Sequence, residues 1–150
     1  YAFLADSGGA GKYRGALGIV RQYRVLAEEA TVNLRSDRHL HPCWGLFGGK
    51  PGALSRSIVN PGTPKEENTP SKFVRTMHRG DVFRGEMAGS GGYGDPYTRE
   101  PEAVLEDFRQ QKISVKHALS EYGVVIDTAN GKVDAKATAA RRAARPAAGR

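Results

Sequence analysis

The chain has a single cysteine, Cys43, one tryptophan and no apolar run of the length a membrane-spanning helix needs, roughly 20 residues. One cysteine excludes an intrachain disulfide and a cysteine-rich zinc module, and it suits a reducing compartment. The opening YAFLADSGG has no initiator methionine and no basic stretch ahead of an apolar segment. It therefore shows no export signal and reads as a strand entered midway, with the cytoplasm as the expected location and no membrane partner. A length of 150 residues allows one domain with a modest core, or a piece of one. Acidic residues are also missing locally. Between residues 135 and 150, Lys136, Arg141, Arg142, Arg145 and Arg150 face no acid, so five of the seven net positive charges sit in this tail.

What the chain has in abundance is glycine, 19 residues concentrated between Gly8 and Pro96. The last third is instead alanine-rich, charged and helical in pattern. These compositions divide the chain into a β and loop portion, 1–97, and a helical portion with a basic tail, 98–150, both belonging to one α+β domain fragment. After Gly15, Leu17, Ile19, Tyr23 and Val25 share one side of a strand with Arg21 as the polar exception, and Val32 and Leu34 alternate in a second run. The residues between, Ala27 to Ala30, read as a short turn, which predicts an antiparallel hairpin. Residues 42–62 predict loops around one brief SIV strand. A further strand is expected over 72–77, with Phe73 and Met77 on one face, followed by a turn at Arg79-Gly80-Asp81 into Val82 and Phe83. The stretch AGSGGYGDP, residues 88–96, is too rich in glycine for regular structure and is either a linker or a loop that closely approaches another surface.

The helices are better marked. Pro101 suits a first-turn position, and Val104, Leu105 and Phe108 form an apolar stripe. Ser114 is placed to cap a second helix carrying Val115, Ala118, Leu119 and Tyr122, and Gly123 to end it. Val124 to Ile126 reads as a short buried strand, Asn130-Gly131 as a turn, and Asp134 as the cap of a final helix.

Four groups invite a chemical reading. SGGAGKYRG, residues 7–15, contains a Gly-Lys pair, but a phosphate loop of the Walker type would place its first glycine at Asp6 and its hydroxyl at Tyr13. A tight, close-packed loop explains the glycines better. His39, His41 and Cys43 would share one face of an extended RSDRHLHPCWG and could ligate zinc, but they lack a fourth ligand and orienting partners; a basic polar loop is the simpler reading, and no metal is assigned. Asp81, Glu86 and Asp95 lie in turn-like sequence, where hydrogen bonding to turns outweighs acid and base chemistry, and no nucleophile motif accompanies them. The basic tail has no aromatic platform, and nucleic acid is not expected as a partner.

Read together, SGGAGKYRGALGIVRQY, LRSDR, WGLFGGKPG, GGYGDP and the closing EYGVVID with NGKVD resemble the C-terminal part of the hydantoinase B / oxoprolinase family, in order, from about Gly8 to Ala143. The resemblance implies a subunit that works with a hydantoinase A type partner in ATP-dependent opening of cyclic amides such as hydantoins or 5-oxoproline. Relatives serve as large subunits of ketone carboxylases. Family members are several times longer, so this chain is expected to be a piece completed by the missing N-terminal part of its own subunit and inactive by itself. ATP and a divalent metal are expected on the rest of the complex, with no cofactor bound by this piece. The His41 and Cys43 positions depart from the family pattern, and Glu100 replaces a common Asp at a helix N-cap. The catalytic residues stay unassigned. Contact with ligand or partner is expected from Lys12, Arg35, Asp37 and Arg38, charged groups beside glycine-rich loops.

Overall fold

The computed structural model describes residues 1–145, so Arg150 and the rest of the basic tail beyond Arg145 lie outside the described residues. Strands β1 (Ala2–Phe3), β2 (Ile19–Arg24), β3 (Glu29–Arg35), β4 (Arg56–Val59), β5 (Glu67–Asn68), β6 (Lys72–His78) and β7 (Val82–Glu86) precede a single 3₁₀ turn at Pro96–Thr98. Helices α1 (Pro101–Arg109) and α2 (Val115–Tyr122), the strands β8 (Ile126–Asp127) and β9 (Lys132–Val133), and helix α3 (Ala135–Ala143) follow. The fold is α+β, with all strand ladders antiparallel: a sheet of order β1-β2-β7-β4-β5, a β3-β6 ribbon and a β8-β9 hairpin.

The expected hairpin between the first two long strands does not form. β2 pairs with β7, and β3 pairs with β6. The registers show why. Val20 lies opposite Glu86 and Glu29 opposite His78, so residues 19–35 and 72–86 run alongside each other as two long strands. Between the two ladders, residues 25–28 face only residues 79–81, one extra residue on one side, as in a β-bulge. Backbone bonds continue across the bend: Val25 N donates to Asp81 O (2.9 Å), Gly80 N to Val25 O (2.9 Å) and Arg79 N to Glu28 O (3.1 Å). The breaks in period at 27–30 and 79–81 are thus one shared bend and not two reversals. Gly80 takes φ of 92°, and the Asp81 carboxylate accepts from His78 N (2.8 Å), which holds the bend.

The inward face of β2 also differs from expectation. Val20 is its buried residue, whereas Tyr23 is 52% exposed, and Arg21 on that same other face lies against the Tyr1 ring, 4.8 Å from its centroid. Ile19 and Tyr23, which suggested the apolar side, lie on the face opposite the buried Val20, so the alternation marked the wrong face. In β3 and β6 the alternation holds, with Met77 buried and Val74 exposed.

The helical portion follows its signals closely. Pro101 occupies the first turn of α1, whose N-cap Glu100 makes no side-chain cap bond. Ser114 Oγ accepts from His117 N (3.1 Å), Gly123 ends α2 at φ 62°, and Asp134 caps α3 through Ala137 N (2.9 Å). Val104, Leu105, Ile113, Ala118, Tyr122, Val124 and Ile126 form the main core, flanked by Phe108 and Val133. One residue of the glycine-rich portion, Ala10, belongs to the same cluster.

Ala10 arrives there because three glycine-bearing segments, residues 7–18, 43–53 and 87–94, pack backbone against backbone. Gly9 N donates to Ser90 O, Lys50 N to Ala10 O, Gly92 N to Lys50 O, Ala53 N to Ser7 O and Leu46 N to Gly92 O, all at 2.7–2.9 Å. The segment AGSGGYGDP is therefore a close-approach loop and not a linker. A Cβ on Gly89 would overlap the carbonyl of Ser7, and one on Gly15 the carbonyl of Ser90.

Gly89→Ala is expected to cost about 3 kcal/mol or to prevent folding, because two rigid backbones would have to separate. Gly85→Ala is the matched control: its Cβ would meet only the Phe83 ring at 3.7 Å, and stability should change by less than about 1 kcal/mol. Thermal or urea denaturation of both variants checks this, and equal stability losses would contradict it.

Candidate functional site

At the open end of the β3-β6 ribbon the two chains part. Ser36 N still donates to Ser71 O (2.9 Å), and beyond that bond Ser36–His41, Ser71 and Lys72 line a cleft of about 390 Å³. Arg38 turns the chain with φ of 63°, a conformation few non-glycine residues adopt, and its carbonyl accepts from Ser55 N (2.9 Å). Its guanidinium lies 6.0 Å from the centre of the exposed Trp44 ring. His39 Nε2 is 3.2 Å from Ser36 Oγ, which orients the imidazole within the cleft.

The expected contact residues are thus distributed as follows. Asp37 and Arg38 share the cleft. Arg35 ends β3 opposite Lys72, itself a lining residue, and is exposed there. Lys12 stands apart, on the glycine loops, with its N–H donating to Gly94 O (3.2 Å) and its ammonium 5.9 Å from the Tyr13 ring. His39 and His41 line the cleft while Cys43 does not, and among the described residues no group of three or more histidine, cysteine or carboxylate side chains is gathered to hold a metal ion.

Half of the backbone N–H groups in the glycine run 8–15 close backbone contacts instead of facing an open cradle of the phosphate-loop kind. The N–H groups of Gly9, Lys12, Tyr13 and Gly15 are all engaged by backbone carbonyls. Asp6, at the position a Walker loop would fill with glycine, adopts φ of 61° and its carboxylate accepts from Ser114 N (2.7 Å), tying the loop to the start of α2.

One charged cluster escapes the sequence reading. Asp107 lies on the apolar face of α1, 5% exposed, and accepts from Arg14 Nε (3.1 Å) and Arg99 Nη2 (2.8 Å). The same arginines reach backbone carbonyls: Arg14 that of Gly15 (2.7 Å) and Arg99 that of Lys12 (3.0 Å). Arg142 extends the network from α3, donating to Tyr122 O (3.1 Å) and Arg99 O (2.8 Å). The signal was a carboxylate standing among Val104, Leu105 and Phe108, which demands a buried partner. At the centre, the Tyr122 side chain is fully buried, and burial pushes its phenol up to about 12 against the opposing pull of Arg99. Two arginines take up both oxygens of one carboxylate and reach the glycine loops from it, so this cluster is a clamp between the glycine loops and the helices.

Near the C-terminus of the described residues Arg145 grips Asp95 with two 2.7 Å bonds and lies 4.3 Å from the centre of the Tyr97 ring. The Asp95 carboxyl is partly desolvated, but the arginine and Tyr97 N hold it below its ordinary value. Among the described residues, no helix is long and apolar enough to cross a membrane.

Comparison with known proteins identifies what carries this arrangement. Residues 1–96 match the family model described as Hydantoinase B/oxoprolinase. The chain is 36% identical over 148 residues to the caprolactamase subunit beta of Pseudomonas jessenii, covering 96% of this chain and 25% of that protein. The crystal structure of the ATP-dependent caprolactamase from that organism superposes with a TM-score of 0.80 at 30% identity, over 96% of this chain and 25% of that one. The nucleotide-free acetone carboxylase structure also gives 0.80, at 29% identity over 94% and 23%. The chain spans about a quarter of the length of these relatives.

Asp107→Asn should lower stability by about 3 kcal/mol, since it leaves two largely buried guanidinium groups without their anion. Unchanged urea denaturation would remove the clamp from the account. Tyr122→Phe separates burial from ionisation. The unfolded phenol ionises near 10.0 and the buried one near 12, so its contribution to stability is complete below pH 10 and is lost as pH rises through 12. The variant should lose less stability than wild type over that interval; parallel curves would contradict the assignment.

Proposed function

The chain belongs to the hydantoinase B/oxoprolinase family, and from that membership we propose that it forms the C-terminal portion of a hydantoinase B type subunit acting in ATP-dependent hydrolysis of a cyclic amide. The carrying observation is that a relative aligned over 96% of this chain, at 36% identity in sequence and a TM-score of 0.80 in fold, is a caprolactamase, and caprolactam is a cyclic amide. The difficulty of the reaction is chemical. Amide resonance makes the ring carbonyl a poor electrophile, and phosphorylation of its oxygen, assigned here to a hydantoinase A type partner, makes the carbon open to water. In this reading ATP and a divalent metal belong to the rest of the complex.

This chain's own part is to build and position. Its glycine loops and helices form one rigid support, and the cleft at Asp37 and Arg38 presents charge at a defined place. Arg38 is assigned contact with an anionic group of ligand or partner, with Asp37, Arg35 and Lys12 as further contact residues. This chain's 0.80 superposition with acetone carboxylase supports a second reading, a ketone carboxylase subunit. Supply of the complete complex with a lactam or with a ketone and bicarbonate separates the two. A scaffold role without catalysis is the third outcome, seen as co-purification with an A-type subunit and no ATP-dependent turnover.

In a complex reconstituted with the A-type partner and the rest of the subunit, Arg38→Ala should reduce ATP-dependent ring opening about tenfold or more, the size of one lost charge-assisted hydrogen bond. Co-elution on gel filtration should be unchanged. Wild-type kinetics in Arg38→Ala and Arg35→Ala would remove the cleft from the reaction.

A further inference from the structure

We propose that the exposed apolar cluster Tyr13, Leu46, Phe47 and Tyr93 is the face on which the remaining three quarters of a hydantoinase B type subunit packs. The inference rests on the subunit reading above and adds the surface and residues that make the joint.

The cluster is contiguous. The Tyr93 ring lies 5.1 Å from that of Phe47 and 6.2 Å from that of Tyr13, and Leu46 bridges to Tyr93 through the backbone. All four side chains are 47–78% exposed. Grouped, exposed rings of this kind mark interaction surfaces, whereas scattered ones do not. Leu26 and Val74, also exposed, stand on other elements: Leu26 at the bend after β2, Val74 on β6.

Phe47 supplies an independent sign. It is the most exposed of the four at 78% and it adopts φ of 51°, a left-handed conformation that is a real outlier for a bulky residue. The angle belongs to a tight turn closed by Gly49 N donating to Leu46 O (3.0 Å), with Gly48 at φ 90°; a small residue would suit this place, and Phe47 instead holds a phenyl ring in water there. Such strain persists where the surroundings enforce it and function needs it. Here the glycine loops enforce it: Tyr13 and Tyr93 exchange backbone bonds at 2.9 and 3.0 Å, Leu46 N donates to Gly92 O, and Gly94 N donates to Leu46 O. The rings are therefore mounted on fixed backbone and lose little freedom on docking. Lys12 borders the rings as a polar rim.

The occupant follows from length. The same fold, superposing at 0.80, is found in solved chains of which it forms 23–25%, so in those proteins about three times as much polypeptide is present beside it. This contiguous and firmly mounted apolar face is where that polypeptide fits.

The test uses the Pseudomonas jessenii caprolactamase subunit beta from which the quarter matching this chain has been deleted, titrated with this chain by calorimetry. Wild type should bind. Phe47→Asn is the informative variant, because Asn tolerates the left-handed angle better than Phe: melting temperature should hold or rise while affinity falls at least about tenfold. Tyr93→Ser should fall similarly, and Leu26→Ser and Val74→Ser should stay within about twofold. Wild-type affinity in Phe47→Asn and Tyr93→Ser overturns this face and leaves the subunit reading standing. Folded wild type that does not bind overturns both. Self-association of the chain that Phe47→Asn abolishes assigns the face to a second copy, and also overturns the proposal.

Discussion

Two backbones can touch only where no side chain stands between them, and the fold rests on three segments that satisfy this condition together. Residues 7–18, 43–53 and 87–94 contact one another through carbonyl oxygens that lie where a Cβ would be, and their N–H groups close the contact with hydrogen bonds. Each of the surrounding features depends on that approach. It carries Ala10 into the helical core, brings Arg14 and the Lys12 carbonyl to Asp107 and Arg99, and turns Tyr13, Leu46, Phe47 and Tyr93 outward as a fixed surface.

Glycine packing supplies no apolar side chains, so this layer needs an external clamp. The Arg14–Asp107–Arg99 triad and the Asp6 carboxylate on Ser114 N provide it from opposite ends of the same loop. Burying such charges is costly unless each is paired and further hydrogen-bonded, and both arginines also reach backbone carbonyls. The clamp therefore favours one arrangement of loop against helix over others. It also explains why the most buried charged cluster is structural while the chemically accessible charges lie in the cleft at Asp37 and Arg38.

Much of this was readable residue by residue, for local reasons. Ser114, Gly123 and Asp134 act within one turn of their own helices, and Pro101 needs only its fixed φ, so the helical portion followed its caps. The hairpin expected from residues 17–35 failed because a break in period marks a bend as well as a reversal, and only the partner strand 72–86 decides which. The glycine-dense segments were correctly seen as too irregular for strands, but their mutual packing is a three-body arrangement that no single segment encodes. Of the four expected contact residues, Asp37 and Arg38 meet in the cleft, while Lys12 belongs to a different surface. The aromatic face was invisible because Tyr13, Phe47 and Tyr93 are far apart in sequence and none follows a periodic pattern.

The central claim is that the glycine layer is a structural core in its own right, as firmly held as the helices it clamps. Native-state hydrogen exchange tests it directly. The amides of Gly9, Lys50 and Gly92, each bonded to a neighbouring segment, should exchange as slowly as those of the residues following Val104 and Leu105 in α1 and only through global unfolding. If they exchange instead at the rate of the exposed turns at Gly62 and Gly131, the layer is a set of ordinary surface loops and the account fails.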